Sequence, residues 1–274
     1  MKWDPAKYAQ FGGHRDQPFF DLTARIVADQ PRIVVDLGCG PGNLTSSLAE
    51  RWPEADVVGV DSSADMLQRA APLARQFPSL RFERGDIAGW EPAPGTDVVV
   101  SNAALQWVPG HQDLMRRWLS ELETGSWFAL QVPGNFDAPS HVLMRELAAS
   151  PRWASRLDGV LRGGDSAGNA ADYLGILLDA GYDADAWETT YQHVLPGPDP
   201  VLDWVRGTAL RPVLAALSAA DAVLFEEEYA AALRAAYPPG RHGTLFPFRR
   251  IFAVGRKVGS VHSLGDLDAR SNVV

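Results

Sequence analysis

The run Ile33-Val34-Val35-Asp36-Leu37 passes straight into Gly38-Cys39-Gly40-Pro41-Gly42-Asn43, and this junction constrains the fold more than any other stretch. A short apolar run without alternation reads as a strand buried on both faces, as in a parallel sheet. The glycines break it, and Leu44-Thr45-Ser46-Ser47-Leu48-Ala49 then reads as a helix. Gly38, Gly40 and Gly42 would let backbone approach a ligand with no Cβ in the way, and the helix start offers free N–H groups to an anion. A second strand, Asp56-Val57-Val58-Gly59-Val60, delivers Asp61 about 20 residues further on, where a carboxylate suits the two hydroxyls of a ribose.

Glycine spacing separates two ligand classes. A dinucleotide fingerprint is G-x-G-x-x-G, whereas Asn43 stands at the last glycine position here. The chain instead reads G-x-G-x-G behind an acid, Asp36. That carboxylate would repel a pyrophosphate but accept hydrogen bonds from the amino group of a methionine moiety. S-adenosylmethionine is therefore favoured over NAD. A third strand is read at Leu80-Arg81-Phe82-Glu83-Arg84 and ends at Gly85-Asp86-Ile87. Alone, Gly-Asp after a strand is most often a turn. Three acids at three successive strand ends form a pattern.

That pattern resembles the class I S-adenosylmethionine-dependent methyltransferases. The resemblance implies that Asp86 meets the adenine amino group and that Ile87 packs on the ring. The expected cofactor set is then Asp36, Gly38, Gly40, Gly42, Asp61, Met66, Asp86, Ile87, Ser101 and Trp107. S-adenosyl-L-homocysteine would be the product form.

Composition fits one soluble enzyme. A chain of 274 residues buries a substantial core, and one α/β domain with an elaboration is likelier than two equal domains. The single cysteine, Cys39, excludes an intrachain disulfide, and the six histidines form no H-x-x-x-H pair, so no metal site is read. No signal peptide or bilayer-length apolar run appears, which points to the cytoplasm and away from a membrane. A net charge of −9 argues against a nucleic-acid partner.

Strand and helix signals alternate through the first half. A helix is read over Asp65 to Gln76, a strand over Thr96 to Ser101, a helix over Asp113 to Leu122 and a strand over Gly125 to Val132. The implied architecture is a doubly wound Rossmann-like sheet, mostly parallel, with helices on both faces. After Pro133 the rhythm changes. Helical cap elements are expected at about 137–170 and 198–240, the latter interrupted by Pro212. Strands are expected at Ala186 to His193 and Phe246 to Val254, and the resemblance implies that the last is antiparallel. A single methyltransferase domain would span 1–257, followed by a flexible tail at 258–274.

Within class I, the chain is similar to the carboxyl methyltransferases that esterify trans-aconitate. Pro133-Gly134-Asn135, Trp187-Glu188-Thr189-Thr190-Tyr191 and Pro247-Phe248-Arg249-Arg250 carry that likeness, which runs over roughly 1–257. It implies a tricarboxylate substrate. The strand-four turn Ser101-Asn102-Ala103-Ala104 lacks the Asn/Asp-Pro-Pro-Tyr of nitrogen methylators, which fits an oxygen nucleophile. A carboxylic acid is already ionised at neutral pH, so no general base, and no catalytic side chain of that kind, is expected.

Candidate substrate ligands are His14, Arg15, Gln106, Asn135, His141, Arg249 and Arg250. Adjacent strand residues point to opposite faces, so at most one of Arg249 and Arg250 is expected to reach substrate. His141 serves equally as a helix-capping residue, and Trp187, Thr189 and Tyr191 read more readily as core. Two alternatives stay open: another small acid or hydroxylated metabolite as substrate, and a nicotinamide-dependent dehydrogenase or silent nucleotide-binding module. Oligomeric state is not legible.

Overall fold

The computed structural model describes residues 12–161 and 167–258. Helix α1 (Gly12–Thr23) precedes five strands and the three helices between them: β1 (Ile33–Leu37), α2 (Asn43–Arg51), β2 (Asp56–Asp61), α3 (Ala64–Ala74), β3 (Leu80–Arg84), β4 (Thr96–Asn102), α4 (His111–Glu121) and β5 (Trp127–Pro133). Then come α5 (Pro139–Ala148), α6 (Ala154–Leu157), α7 (Ala170–Asp179), β6 (Tyr182–Leu195), α8 (Pro200–Arg206), α9 (Arg211–Ala216), α10 (Ala219–Ala236), β7 (Pro239–Gly240) and β8 (Gly243–Lys257). Strand order is β3-β2-β1-β4-β5-β8-β6, with the stub β7 on β8. Strands β1 to β5 pair in parallel, and β8 runs antiparallel to both β5 and β6. The expected architecture is present.

The chain winds outward from β1 to β3 and then returns to place β4 against the other edge of β1. Between β1 and β4 lies the switch point, outside whose carboxyl end an open α/β sheet forms its ligand crevice. Register puts Asp36 opposite both Gly59 and Val100, so the loops after β1, β2 and β4 open on one side.

Each sheet face carries its own core. On one, Trp118, Leu119, Tyr173, Ile176 and Leu177 from α4 and α7 cover Val35, Leu37, Val99 and Phe128. On the other, Phe19 and Leu22 of α1, with Ile26 just beyond it, cover Val34, Val98, Ala129 and Phe252. Helix α1 was not expected, because Gly12, Gly13 and an internal Pro18 argue against a helix. Phe19 and Leu22, three apart on its buried face, follow a helical period, and their burial outweighs the proline.

A third core belongs to the cap. Trp153, Trp204, Val205, Phe225, Tyr229 and Leu233 pack with Phe246 and Phe248 at the start of β8. The cap helices α5, α8 and α9 each begin with a proline at the first turn (Pro139, Pro200 and Pro212), where its missing N–H costs nothing. Pro212 therefore starts a helix, and the long helical stretch resolves into α8, α9 and α10. Among the described residues no helix is long and apolar enough to cross a membrane. The expected tail, apart from Val258, lies outside the described residues, as does the cap segment 162–166.

Candidate active site

A cavity of about 650 Å³ opens at the carboxyl edge of the sheet. Its size is that of a small-molecule site. One wall is the β1–α2 loop. Backbone N–H groups of Gly38 and Cys39 donate to the Val60 carbonyl at 2.8 and 3.1 Å, tying the loop to β2. Gly38, Gly40 and Gly42 all have positive φ, at 85°, 56° and 79°. A Cβ on Gly38 would lie 2.2 Å from the Ala104 Cβ, and one on Gly42 would lie 2.5 Å from the Phe82 Cζ. Only Gly40 would point a Cβ into open space. The glycines thus serve two ends: Gly38 and Gly42 admit neighbouring side chains, while Gly40 leaves room in the cavity. Gly42 does not line it, which corrects the expectation that all three glycines face a ligand.

Asp36 is buried on the floor of the site, where Thr45 Oγ1 donates to its Oδ2 at 2.6 Å. Burial, with some help from the nearby Asp61 charge, pushes its carboxyl up to about 6. Asp61 accepts the Gly40 N–H at 2.9 Å on Oδ2 and the Ser63 N–H at 2.8 Å on Oδ1. Each of its oxygens keeps a lone pair for another donor. Asp86 accepts the Ala88 N–H at 3.0 Å and so caps a short 3₁₀ turn (Ile87–Gly89) that presents Ile87 to the cavity. Met66, from the first turn of α3, and Trp107 complete this side.

Ser101 is brought elsewhere. Fully buried in β4, it donates its hydroxyl to the Leu37 carbonyl at 2.9 Å and does not line the cavity. Side chains alternate along a strand, so the next residue, Asn102, faces the site instead. Ala103 follows with φ of 54°, the only non-glycine residue with positive φ among those described. This bend turns the chain into the Leu105–Trp107 turn, where Gln106 lines the cavity and donates Nε2 to the Ala103 carbonyl at 2.7 Å.

The opposite wall comes from β5, β8 and the cap. Arg250 sits on β8 opposite Pro133 of β5, 5% exposed, with its guanidinium 4.4 Å above the Phe248 ring and Nη1 3.4 Å from Gln131 Oε1. Arg249 faces away. Its Nε lies 3.1 Å from Glu188 Oε2 in a half-exposed ion pair, and it does not line the cavity. The strand alternation expected from sequence decides between the two, and Arg249 is withdrawn from the substrate set. His14 and Arg15 belong to α1, but their side chains fall outside the described ones.

Asn135 and His141 both line the cavity and meet each other, Asn135 Nδ2 lying 3.4 Å from His141 Nδ1. Burial, with the charge of Arg145 behind it, holds the His141 imidazole down at about 4, so it is neutral at physiological pH. Phe136, Met144, Leu161, Trp204, Thr208 and Phe248 add an apolar rim that sequence reasoning did not identify. Phe248 was legible, because it shares a strand face with Arg250; the others converge only through tertiary packing.

Residues 34–125 match a family model described as a methyltransferase domain. The trans-aconitate 2-methyltransferase of Streptomyces coelicolor is 57% identical over 263 residues, covering 93% of this chain and 86% of that protein. That of Rhodococcus jostii is 54% identical over 256 residues, covering 93% and 99%. Among solved structures, YcgJ of Bacillus subtilis superposes with a TM-score of 0.55 at 16% identity, covering 90% of this chain and 100% of that one. Haemonchus contortus phosphoethanolamine N-methyltransferase 2, in complex with S-adenosylhomocysteine, gives 0.52 at 15%, covering 88% and 52%. These structural likenesses speak for the fold alone. At the identities and coverage of the sequence relatives, the chain belongs to the trans-aconitate 2-methyltransferase family.

Proposed function

We propose that this protein is an S-adenosylmethionine-dependent carboxyl O-methyltransferase that converts trans-aconitate to a monomethyl ester. The observation that carries the reading is the charge polarity of the cavity along the sheet. Asp36, Asp61 and Asp86 stand at the ends of β1, β2 and β3, on one side of β4. Arg250 enters from β8 on the other side, with Arg145 of α5 as a second cation beside the neutral His141. A cationic cofactor suits the first half and a polyanionic acid the second.

The residues present fit the cofactor. The buried charge of Asp36 calls for a cation, which the methionine ammonium would provide. Spare acceptor capacity on Asp61 suits ribose hydroxyls, Asp86 suits an adenine amino group, and Ile87, Met66 and Trp107 supply apolar surface for the ring. When bound, the cofactor supplies the methyl group: a carboxylate oxygen bonds to the methyl carbon as the carbon–sulfur bond breaks, its electron pair staying on sulfur.

The chain's own residues bind, orient and exclude water. Because the acid arrives ionised, none needs to remove a proton. A strong cation on the attacking oxygen would hold back its electrons, so Arg250 is assigned to a carboxylate that does not react. Phe136, Trp204 and Phe248 wall the substrate half, and alignment there supplies at most roughly 7–11 kcal/mol of the barrier reduction. In this reading residues 1–257 act as one catalytic unit in the cytoplasm, on a small tricarboxylate, and the lone Cys39 suits that reducing compartment.

Titration calorimetry tests the reading. S-adenosylhomocysteine should bind, trans-aconitate should bind to that complex, and NAD should not bind. Binding of NAD without S-adenosylhomocysteine would overturn it.

A further inference from the structure

His141 is built into the first turn of α5 with unusual care. The Ser140 N–H donates to the Tyr237 hydroxyl at 3.1 Å, while the Tyr229 hydroxyl donates to the Ser140 carbonyl. Both tyrosines come from the α10 end of the cap, and Tyr229 is fully buried. Two strong anchors thus fix the backbone that carries His141. The side chain is fixed as well: Nδ1 lies 3.2 Å from Ser140 Oγ and 3.4 Å from Asn135 Nδ2, and the ring meets Phe136 edge-on at 5.7 Å.

The partners of Nδ1 decide where the proton sits. An amide NH₂ can only donate, so Nδ1 accepts, and the Ser140 hydroxyl can rotate to donate as well. In a neutral ring the proton must then be on Nε2. His141 is 9% exposed and lines the cavity, and among the described residues its ring hydrogen bonds are made by Nδ1, which leaves Nε2 available to a ligand there. Desolvation keeps the ring neutral, as the Arg145 charge also does.

We propose that His141 presents a fixed, uncharged Nε2–H to the reacting carboxylate of the substrate, and that Asn135 is the positioning residue that sets this tautomer. The inference deepens the trans-aconitate reading and rests on it. Its chemistry follows from the division of labour in the cavity. A guanidinium on the attacking oxygen would stabilise the ground state, in which charge is full, more than the transition state, in which it is being lost. A single neutral N–H orients the oxygen with far weaker stabilisation of that charge. The neutral donor therefore belongs on the reacting carboxylate and Arg250 on a spectator. Asn135→Asp replaces a donor with an acceptor, which draws the proton to Nδ1 and turns the bare Nε2 lone pair toward the carboxylate.

The test combines ¹⁵N NMR of histidine-labelled protein with kinetics. In the full-length wild type bound to S-adenosylhomocysteine, His141 should be neutral with its proton on Nε2. Adding trans-aconitate should move the Hε2 resonance downfield. N135D should show the Nδ1–H tautomer with unchanged S-adenosylhomocysteine affinity. H141L should lower kcat roughly 10- to 100-fold through lost alignment of the attacking oxygen, whereas H141Q, which keeps a neutral N–H, should recover part of it. A wild-type ring protonated on Nδ1 or on both nitrogens overturns the proposal. So does an Hε2 resonance unmoved by trans-aconitate, or an H141L enzyme with wild-type kcat. A wild type that esterifies no trans-aconitate would instead remove the underlying reading, and this proposal with it.

Discussion

Thr45 Oγ1 donates to Asp36 Oδ2 at 2.6 Å, and this is the hydrogen bond found for an otherwise buried carboxylate among the described residues. One neutral donor does not repay the desolvation of a full charge, which is why the Asp36 carboxyl is held up at about 6. The pair is a site prepared for a cation, at the expense of the cofactor-free fold.

The cost is measurable. A folded-state carboxyl raised above its unfolded value contributes stability that is complete below about 4 and lost as pH rises through about 6. At pH 7, cofactor-free Asp36→Asn should therefore be more stable than wild type by up to about 3 kcal/mol, with the difference vanishing near pH 4. Urea denaturation at both pH values checks this. Equal stability at pH 7 would mean that Asp36 is not strained. The same variant should bind S-adenosylhomocysteine more weakly.

Cofactor affinity should also depend on pH. A cation binds the ionised form of Asp36, so S-adenosylhomocysteine affinity should be level above pH 7 and fall below about pH 6. His141 acts in the opposite sense on stability: its depressed folded value contributes stability above about 6.5 that is lost as pH falls through about 4. The two groups offset each other between pH 4 and 6, so the affinity profile reports Asp36 better than wild-type stability does. With no general base, kcat at saturating cofactor should show no rise on the basic side.

Arg250 and Arg249 separate a buried role from an exposed one. Arg250→Lys keeps the charge but loses the planar fork, and should raise KM for trans-aconitate roughly 10- to 100-fold while leaving S-adenosylhomocysteine affinity unchanged. Arg249→Lys disturbs only a half-exposed pair with Glu188 and should behave like wild type. Steady-state kinetics of the two variants decides. A reversed order would place the clamp on the wrong arginine.

The glycine loop offers a second dissociation. Gly38→Ala combines a positive φ with a Cβ 2.2 Å from that of Ala104, and should destabilise the fold by about 2–4 kcal/mol. Gly40→Ala meets open space, so only the backbone strain of about 1–2 kcal/mol applies. Gly40→Ala should nonetheless weaken S-adenosylhomocysteine binding, because its Cβ would enter the cavity. Thermal unfolding and calorimetry on both proteins check the split.

Much of this site was legible because its rules are local. The bounds of β1 follow from an apolar run closed by glycine, β3 from a short stretch closed at Gly85, and Asp36, Asp61 and Asp86 from strand ends. Alternation along β8 by itself puts Arg249 and Arg250 on opposite faces. Ser101 is expected at the site only with the resemblance's cofactor set, whereas alternation along β4 turns Asn102 to the cavity and Ser101 to the Leu37 carbonyl. Helix α1 was missed because Pro18 is a local signal whereas the burial of Phe19 and Leu22 is not. Phe136 and the pair Trp204 and Thr208, one helical turn apart across the end of α8, reach one cavity from distant parts of the chain, and nothing local announces that convergence.

Incubation with [¹³C-methyl]-S-adenosylmethionine and trans-aconitate, read by NMR of the products, tests the central claim most directly. A single labelled methyl-ester resonance should appear in a monoester of the acid, stoichiometric with S-adenosylhomocysteine, and it should be lost when Arg250 is replaced by Ala. No ester signal from the wild-type enzyme, or label on nitrogen of an added amine instead, would contradict the account.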